Sequence, residues 1–281
     1  MKIATGSNGL APEGTFREQF EIAKTLGYDC LEMWLWHKGD TRFSLTVDST
    51  EEDYAEIRSL IKEFGIPVSS VASGAYWNYG AFGSNDPAKS AEAVRLMRKQ
   101  IEAARAIGAK TILVVTNIDN ETGYNESIEL TIKVFRELEN EIKEAGINIG
   151  IENVWNHFFM SPLDVAYVLD KIDNPLVGLY LDIGNMVEYS EPEWWIKECA
   201  KYIKQVHIKD FKRVDGRHSG GDECFLLEGD VDFEKCIPLL KECGYDGIIA
   251  AEVPPSTTGL PREEHSKKLY EAMRKIGNMV K

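Results

Sequence analysis

Five times along this chain a helix-like run closes on a glycine and a strand-like run starts at once: KTLGYDCLEM, EFGIPVSSVA, AIGAKTILVV, EAGINIGIE and ECGYDGIIAAE. The glycines are Gly27, Gly65, Gly108, Gly146 and Gly244. Glycine just past the last helical residue supplies the left-handed cap that ends a helix without steric cost. The runs that follow are almost continuously apolar, as strands covered on both faces are. Between them lie amphipathic stretches. One carries Phe16, Phe20 and Ala23 at i, i+4 and i+7, and another, from Ala91 to Ile107, carries Val94, Met97, Ile101 and Ala104 at three- and four-residue steps. Such punctuation confines the chain to alternating β/α architectures.

Eight strand candidates can be counted: Lys2–Thr5, Cys30–Met33, Val68–Ala72, Thr111–Val115, Asn148–Glu152, Val177–Asp182, Gln205–Lys209 and Gly247–Glu252. Helical stretches fill most of the gaps. Eight β/α units in a chain of 281 residues predict an α/β fold of the closed (β/α)8 TIM-barrel kind, as a single domain spanning 1–281. The alternative, an open doubly wound sheet, calls for a glycine-rich phosphate loop after the first strand, and ATGSNGLAPEG matches that poorly. No linker or low-complexity tract interrupts the pattern.

Composition narrows the partners. The net charge of −14 offers no basic footprint, so no nucleic acid is expected. No apolar run is long enough to span a bilayer and the N-terminus has no apolar leader core, so no membrane partner and no signal peptide are expected. The five cysteines form no CxxC pair and read as reduced thiols of a cytoplasmic protein.

Polar residues stand where strands should end. The apolar run Asn148-Ile149-Gly150-Ile151 leads into Glu152; GLYLD ends on Asp182; QVHIK contains His207; IIAAE ends on Glu252. In a barrel these strand ends share one mouth, where barrel active sites lie. Taken singly, each has an ordinary reading: a solvated loop start, a turn cap, a core histidine. Together, two Glu, one Asp and one His on consecutive strands make an oxygen-rich, one-imidazole set suited to one divalent ion, Mn²⁺, Mg²⁺, Co²⁺ or Zn²⁺. Buried unpaired carboxylates would be costly, and a metal neutralises them.

The segments IENVWN, LDIGN, VHIKD and AAEVP resemble those of the sugar phosphate isomerase/epimerase family with the xylose-isomerase-like TIM barrel, along nearly the whole chain. That family includes ketose 3-epimerases, ketopentose-phosphate 3-epimerases and hydroxypyruvate isomerases. The resemblance implies a metal-dependent isomerase in which Glu152, Asp182, His207 and Glu252 hold one ion, commonly Mn²⁺, while Glu152 and Glu252 also exchange protons with a small sugar or sugar phosphate. Free-ketose epimerases of the family often carry His three residues after the strand-six Asp. Here that residue is Asn185, and phosphate-using branches more often show this form. With the basic run FKRVDGRHSGG behind strand seven, this leans toward an anionic sugar held by Arg213 and Arg217.

Other candidate substrate contacts are His157, five residues beyond Glu152, and Glu32 at the end of strand two. Trp34, Trp36, Tyr76 and Trp77 could floor a sugar pocket or cover the barrel rim. A homodimer or homotetramer is open. The chemistry such a set performs is proton removal next to a carbonyl through an enediolate, giving epimerisation, an aldose–ketose shift or, by expulsion of a β-hydroxyl, dehydration. Two rivals use the same barrel. A three-zinc DNA-repair endonuclease needs more His ligands than five histidines readily supply. A non-catalytic sugar-binding barrel has no need of both glutamates.

Overall fold

The computed structural model describes residues 1–280 other than 12, 40–43, 117, 118, 120 and 217–219. Eight parallel strands form its centre: β1 (Lys2–Gly6), β2 (Cys30–Trp36), β3 (Val68–Ala72), β4 (Thr111–Val114), β5 (Asn148–Glu152), β6 (Val177–Asp182), β7 (Ile203–Ile208) and β8 (Ile248–Ala251). Each pairs with its neighbours in chain order, and β1 pairs with both β2 and β8, so the ring closes. This is the (β/α)8 barrel.

The outer layer consists of α1 (Phe16–Leu26), α2 (Glu51–Phe64), α3 (Pro87–Ile107), α4 (Tyr124–Glu137), α5 (Pro162–Ile172), α6 (Pro192–Cys199), α7 (Phe233–Glu242) and α8 (Arg262–Gly277). All five cap glycines have positive φ, between 64° and 100°. At the other ends, Thr15 and Ser161 each accept a hydrogen bond from the backbone of the third helical residue and start α1 and α5. Phe16, Phe20 and Ala23 of α1 are buried, as the spacing predicts.

Two strand boundaries differ from the sequence reading in an informative way. The seventh strand starts two residues early, at Ile203, and leaves Lys209 just past its end. The eighth ends at Ala251, so Glu252 is the first residue beyond it, although its N–H still bonds the Ile208 carbonyl at 3.1 Å. A short antiparallel ribbon, Asp210–Arg213 with Gly221–Cys224, follows β7.

Inside the ring, side chains alternate in layers. Ala4, Cys30 and Ala250 pack together as one small apolar cluster. Two residues further along their strands come Glu32 on β2 and, across the ring, Ser70, Tyr180, Gln205 and His207, all buried. A polar layer therefore sits within the barrel interior, beneath the C-terminal mouth.

Candidate metal centre

Period two along the strands lifts Glu152, Asp182 and Glu252 to one height. Glu152 is in register with Tyr180, Asp182 with His207, and His207 with Ala250, two residues before Glu252. One ligand atom from each of Glu152, Asp182, His207 and Glu252 lies within 4.8 Å of all the others. No second cluster of this kind occurs among the described residues. Asp182 and His207 are fully buried, and the Glu252 side chain is 17% exposed.

The histidine is held from below. Its Nε2 lies 2.8 Å from Glu32 Oε1, leaving Nδ1 at 3.3 Å from both Glu152 Oε1 and Glu252 Oε2. Glu32 also accepts hydrogen bonds from Ser70 Oγ at 2.8 Å and from the Tyr180 hydroxyl. Ser70 in turn accepts from Gln205 Nε2 at 2.7 Å, and the Tyr180 ring meets the imidazole edge-on at 4.6 Å. A carboxylate accepting from Nε2–H fixes the tautomer whose Nδ1 lone pair is free for a metal.

Asp182 is fixed by its own turn. Its Oδ1 accepts the backbone N–H groups of Gly184 and Asn185 at 2.7 and 2.8 Å, while Oδ2 has no hydrogen-bond partner among the described residues. Asn153 staples β5 to β6, accepting from Asp182 N at 2.9 Å and donating to Asp182 O at 2.8 Å. Gly184 is required here, because a Cβ on it would stand 2.7 Å from the Lys209 carbonyl.

Lys209, one layer above His207, brings its ammonium 3.0 Å from Glu252 Oε2, 3.7 Å from Asp182 Oδ2 and over the Trp155 ring at 5.1 Å. Burial and the nearby Glu252 carboxylate push Glu152 up to about 7. Burial also raises Asp182, with Lys209 opposing. For Glu252 burial is outweighed by Lys209 and His207, which hold it below the usual range. His207 is raised well above its ordinary value, since Glu32 and Glu252 outweigh the cost of burying a charge. The ribbon adds Glu223, a half-buried carboxylate also raised by burial. Acid groups outnumber the two cations, Asp182 Oδ2 accepts no hydrogen bond among the described residues, and the donors are three carboxylates and one imidazole. This set fits a divalent cation.

The remaining sequence candidates fare differently. Glu32 is wholly buried under His207, with both carboxylate oxygens taken by protein donors, so it bears on the histidine and not on the mouth. Asn185 is also spent: Nδ2 donates to Asn153 O at 2.9 Å, and Oδ1 accepts from Lys209 at 3.2 Å. Arg213 is engaged with the segment that follows Asp182. Its guanidinium bonds Val187 O at 2.7 Å and Ser190 O at 2.9 Å and pairs with Glu191. Arg217 lies outside the described residues. His157 is exposed, in a left-handed turn with φ of 61°, and among the described residues no hydrogen bond joins it to the cluster. Tyr76 is not at the rim at all; it is fully buried and its hydroxyl bonds Gln100 on α3. Trp34 does stand in the mouth, stacked on Trp36 at 5.5 Å.

The chain is thus a closed barrel with a four-residue metal-type cluster at its C-terminal mouth. Residues 20–276 match the family described as xylose isomerase-like TIM barrel, and the chain belongs to it. It is 30% identical over 261 residues to the L-ribulose-5-phosphate 3-epimerase UlaE of Escherichia coli strain K12, covering 89% of this chain and 86% of that one. Among solved structures it is similar to the 3-keto-D-glucoside 4-epimerase YcjR of E. coli, at 18% identity and TM-score 0.77, with 99% of each chain covered. It also resembles an L-ribulose 3-epimerase, at 16% identity and TM-score 0.78, with 99% of this chain and 95% of that one covered. A third is the IOLI protein with a bound zinc atom, at 18% identity and TM-score 0.79, with 99% and 98% covered.

Proposed function

We propose that this protein is a divalent-metal-dependent ketose 3-epimerase, acting on a small sugar or its phosphate ester. The observation that carries the reading is the pair Glu152 and Glu252, on β5 and just past β8, brought by the barrel to one centre with Asp182 and His207. The similarity to L-ribulose-5-phosphate 3-epimerase supports the substrate class and its phosphorylated form. Mn²⁺ is the ion we favour, with Mg²⁺, Co²⁺ and Zn²⁺ as alternatives that the same donors accept.

Glu152, Asp182, His207 through Nδ1, and Glu252 would hold the ion, which supplies Lewis-acid polarisation of the substrate carbonyl. The protein's own groups move the protons. One glutamate takes the proton from the carbon next to the carbonyl, and the other delivers a proton to the opposite face of that carbon, inverting it. Lys209, buried between Glu252 and Asp182, contributes positive charge where oxygen anions develop. The strand ends keep both carboxylates fixed relative to each other. The five cysteines are all free thiols, in keeping with a cytoplasmic setting.

The test is a screen of ketoses and ketose phosphates with added Mn²⁺ or with chelator. Glu152→Gln and Glu252→Gln should each lower kcat by about 10²–10⁴, the usual worth of a general base or acid. Asp182→Ala and His207→Ala should lower metal content and activity together. In deuterated water the product should gain deuterium at the inverted carbon. Near-normal turnover by both glutamine variants, or full activity without metal, would remove the mechanism.

A further inference from the structure

Three residues just past three successive strands meet beside the cluster: Trp155 after β5, Asn185 after β6 and Lys209 after β7. Asn185 is buried, and both its backbone and its side chain are engaged. Its N–H donates to Asp182 Oδ1 at 2.8 Å, and its carbonyl accepts from Trp155 Nε1 at 2.8 Å. The side-chain Nδ2 donates to Asn153 O at 2.9 Å, which turns Oδ1 toward Lys209, whose Nζ donates to it at 3.2 Å. The network fixes this orientation: a flipped amide would set its NH₂ against the ammonium and its oxygen against a carbonyl.

The lysine at the other end of that bond is long-stemmed and able to swing. Its ammonium lies 3.0 Å from Glu252 Oε2 and 5.1 Å from the centre of the Trp155 ring. Asp182 Oδ2 is 3.7 Å away, beyond hydrogen-bond distance, and accepts no hydrogen bond among the described residues. That oxygen matters because Asp182 Oδ1 already receives the N–H groups of Gly184 and Asn185. Oδ2 is therefore the oxygen that Asp182 has left for an ion. A shift of the ammonium by about 1 Å would bring it to the distance of a charge-assisted hydrogen bond with Oδ2. Lys209 would then cap Asp182 and Glu252 together, two of the four groups that the ion needs. A divalent ion would have to displace a full positive charge before binding there.

We propose that Asn185 is a positioning residue for the metal site: its side-chain oxygen tethers the Lys209 ammonium short of Asp182 Oδ2 and so keeps that oxygen open to the ion. The inference rests on the metal-site reading above and deepens it. The tether is made of fixed parts, because Asn153 and Trp155 hold Asn185 from the β5 side while Asp182 holds it from β6. When the Asn185 oxygen is removed, the buried ammonium loses an acceptor, and a buried charge takes the nearest replacement. Asp182 Oδ2 is that replacement.

The experiment is calorimetric titration of chelator-treated protein with Mn²⁺ alone, which needs no turnover. It compares wild type, Asn185→Ala, Lys209→Met and the double variant. Asn185→Ala should bind Mn²⁺ about 10–100-fold more weakly, the usual effect of losing a group that supports a metal ligand. Adding Lys209→Met to Asn185→Ala should restore wild-type affinity, because the competing cation is gone. Lys209→Met alone should bind at least as tightly as wild type. A loss in Asn185→Ala that Lys209→Met does not recover makes Asn185 a lock for the Asp182 turn and overturns the tether; so does unchanged affinity in Asn185→Ala. Weaker Mn²⁺ binding by Lys209→Met alone overturns it too, and that result holds even where Asn185→Ala does not fold. Wild type that binds no Mn²⁺ removes the metal-site reading and the tether with it. Wild type that binds Mn²⁺ but epimerises no ketose removes the function proposed above, and the four affinities still decide the tether.

Discussion

Replacing Glu32 separates what holds the metal from what holds the barrel. Three donors converge on this buried carboxylate: His207 Nε2 at 2.8 Å, Ser70 Oγ at 2.8 Å and the Tyr180 hydroxyl. Two of them can console each other, since Ser70 Oγ and Tyr180 OH lie 3.3 Å apart and Ser70 already receives Gln205. Among the described residues, His207 Nε2 has no second acceptor. In Glu32→Leu that donor is stranded, and with the partial loss at Tyr180 and Ser70 the cost comes to about 3 kcal/mol. For a chain of this size that lowers Tm by about 6 °C. Glu32→Gln keeps an acceptor oxygen and the volume, so the stability loss falls to about 1 kcal/mol. Metal affinity is the more telling quantity. Loss of the carboxylate that orients a ligating histidine typically costs about 10–100-fold in affinity.

The assay is thermal melting of wild type and Glu32→Gln, each in chelator and in a fixed excess of Mn²⁺. The melt in chelator reads intrinsic stability. The added stabilisation by metal reads affinity, and a tenfold weaker site reduces it by about 1.4 kcal/mol. Glu32→Gln should therefore melt a little early in chelator and lag wild type further in Mn²⁺. An unchanged metal increment in a well-folded Glu32→Gln protein would refute the claim that Glu32 sets the histidine for metal binding, and leave it a purely structural ion pair.

Three further outcomes follow from the geometry. Gly150→Ala places a Cβ 2.8 Å from the Tyr180 Cβ, so it should cost about 1–3 kcal/mol in denaturant unfolding and, by pushing Tyr180 off Glu32, weaken metal binding as well. Arg213→Ala should lower stability by about 1–2 kcal/mol through the stranded Val187 and Ser190 carbonyls and leave the KM ratio of free to phosphorylated substrate unchanged; a KM rise confined to the phosphate ester would return Arg213 to the binding site. His265, buried with Nε2 on Val253 O at 3.1 Å, is held below its ordinary pKa, chiefly by burial. Its unfolded form binds the proton more readily, so its contribution to stability is full above about pH 6.5 and declines as pH falls below that. His265→Asn should lose that part of the acid destabilisation between pH 7.5 and 5.5, measured as the difference between the two proteins in urea melts.

The barrel was legible because its signals are local. A glycine cap and an apolar run are read within ten residues, and five of them in series leave few folds. The metal-type cluster was legible for a related reason: strand ends in a barrel all point to one mouth, so position along the chain becomes position in space. What sequence could not supply was direction across the ring. Glu32 and His207 are 175 positions apart and meet through the barrel interior, which no local spacing records. Asn185 looks the same in sequence whether its amide faces a sugar or locks the turn around Asp182; in the structure it donates to the Asn153 carbonyl. Tyr76 was misplaced because a side chain past a strand end can turn into the mouth or inward under a helix, and Tyr76 meets Gln100 of α3. Lys209 could have been found, since Gln205 and His207 alternate on β7 and Lys209, one residue past its end, continues the period of two toward the mouth.

The same alternation explains why a polar layer can sit within the barrel at all. Glu32 beneath a cluster of three carboxylates would be a poor choice for stability if its donors had to be gathered from flexible loops. Here they come from β3, β6 and β7, whose positions the closed ring has already fixed, so no further chain entropy is lost in assembling them. The buried carboxylate is then fully hydrogen-bonded and still presents the histidine's other nitrogen upward. The mouth gains a rigidly held histidine beside its three carboxylates.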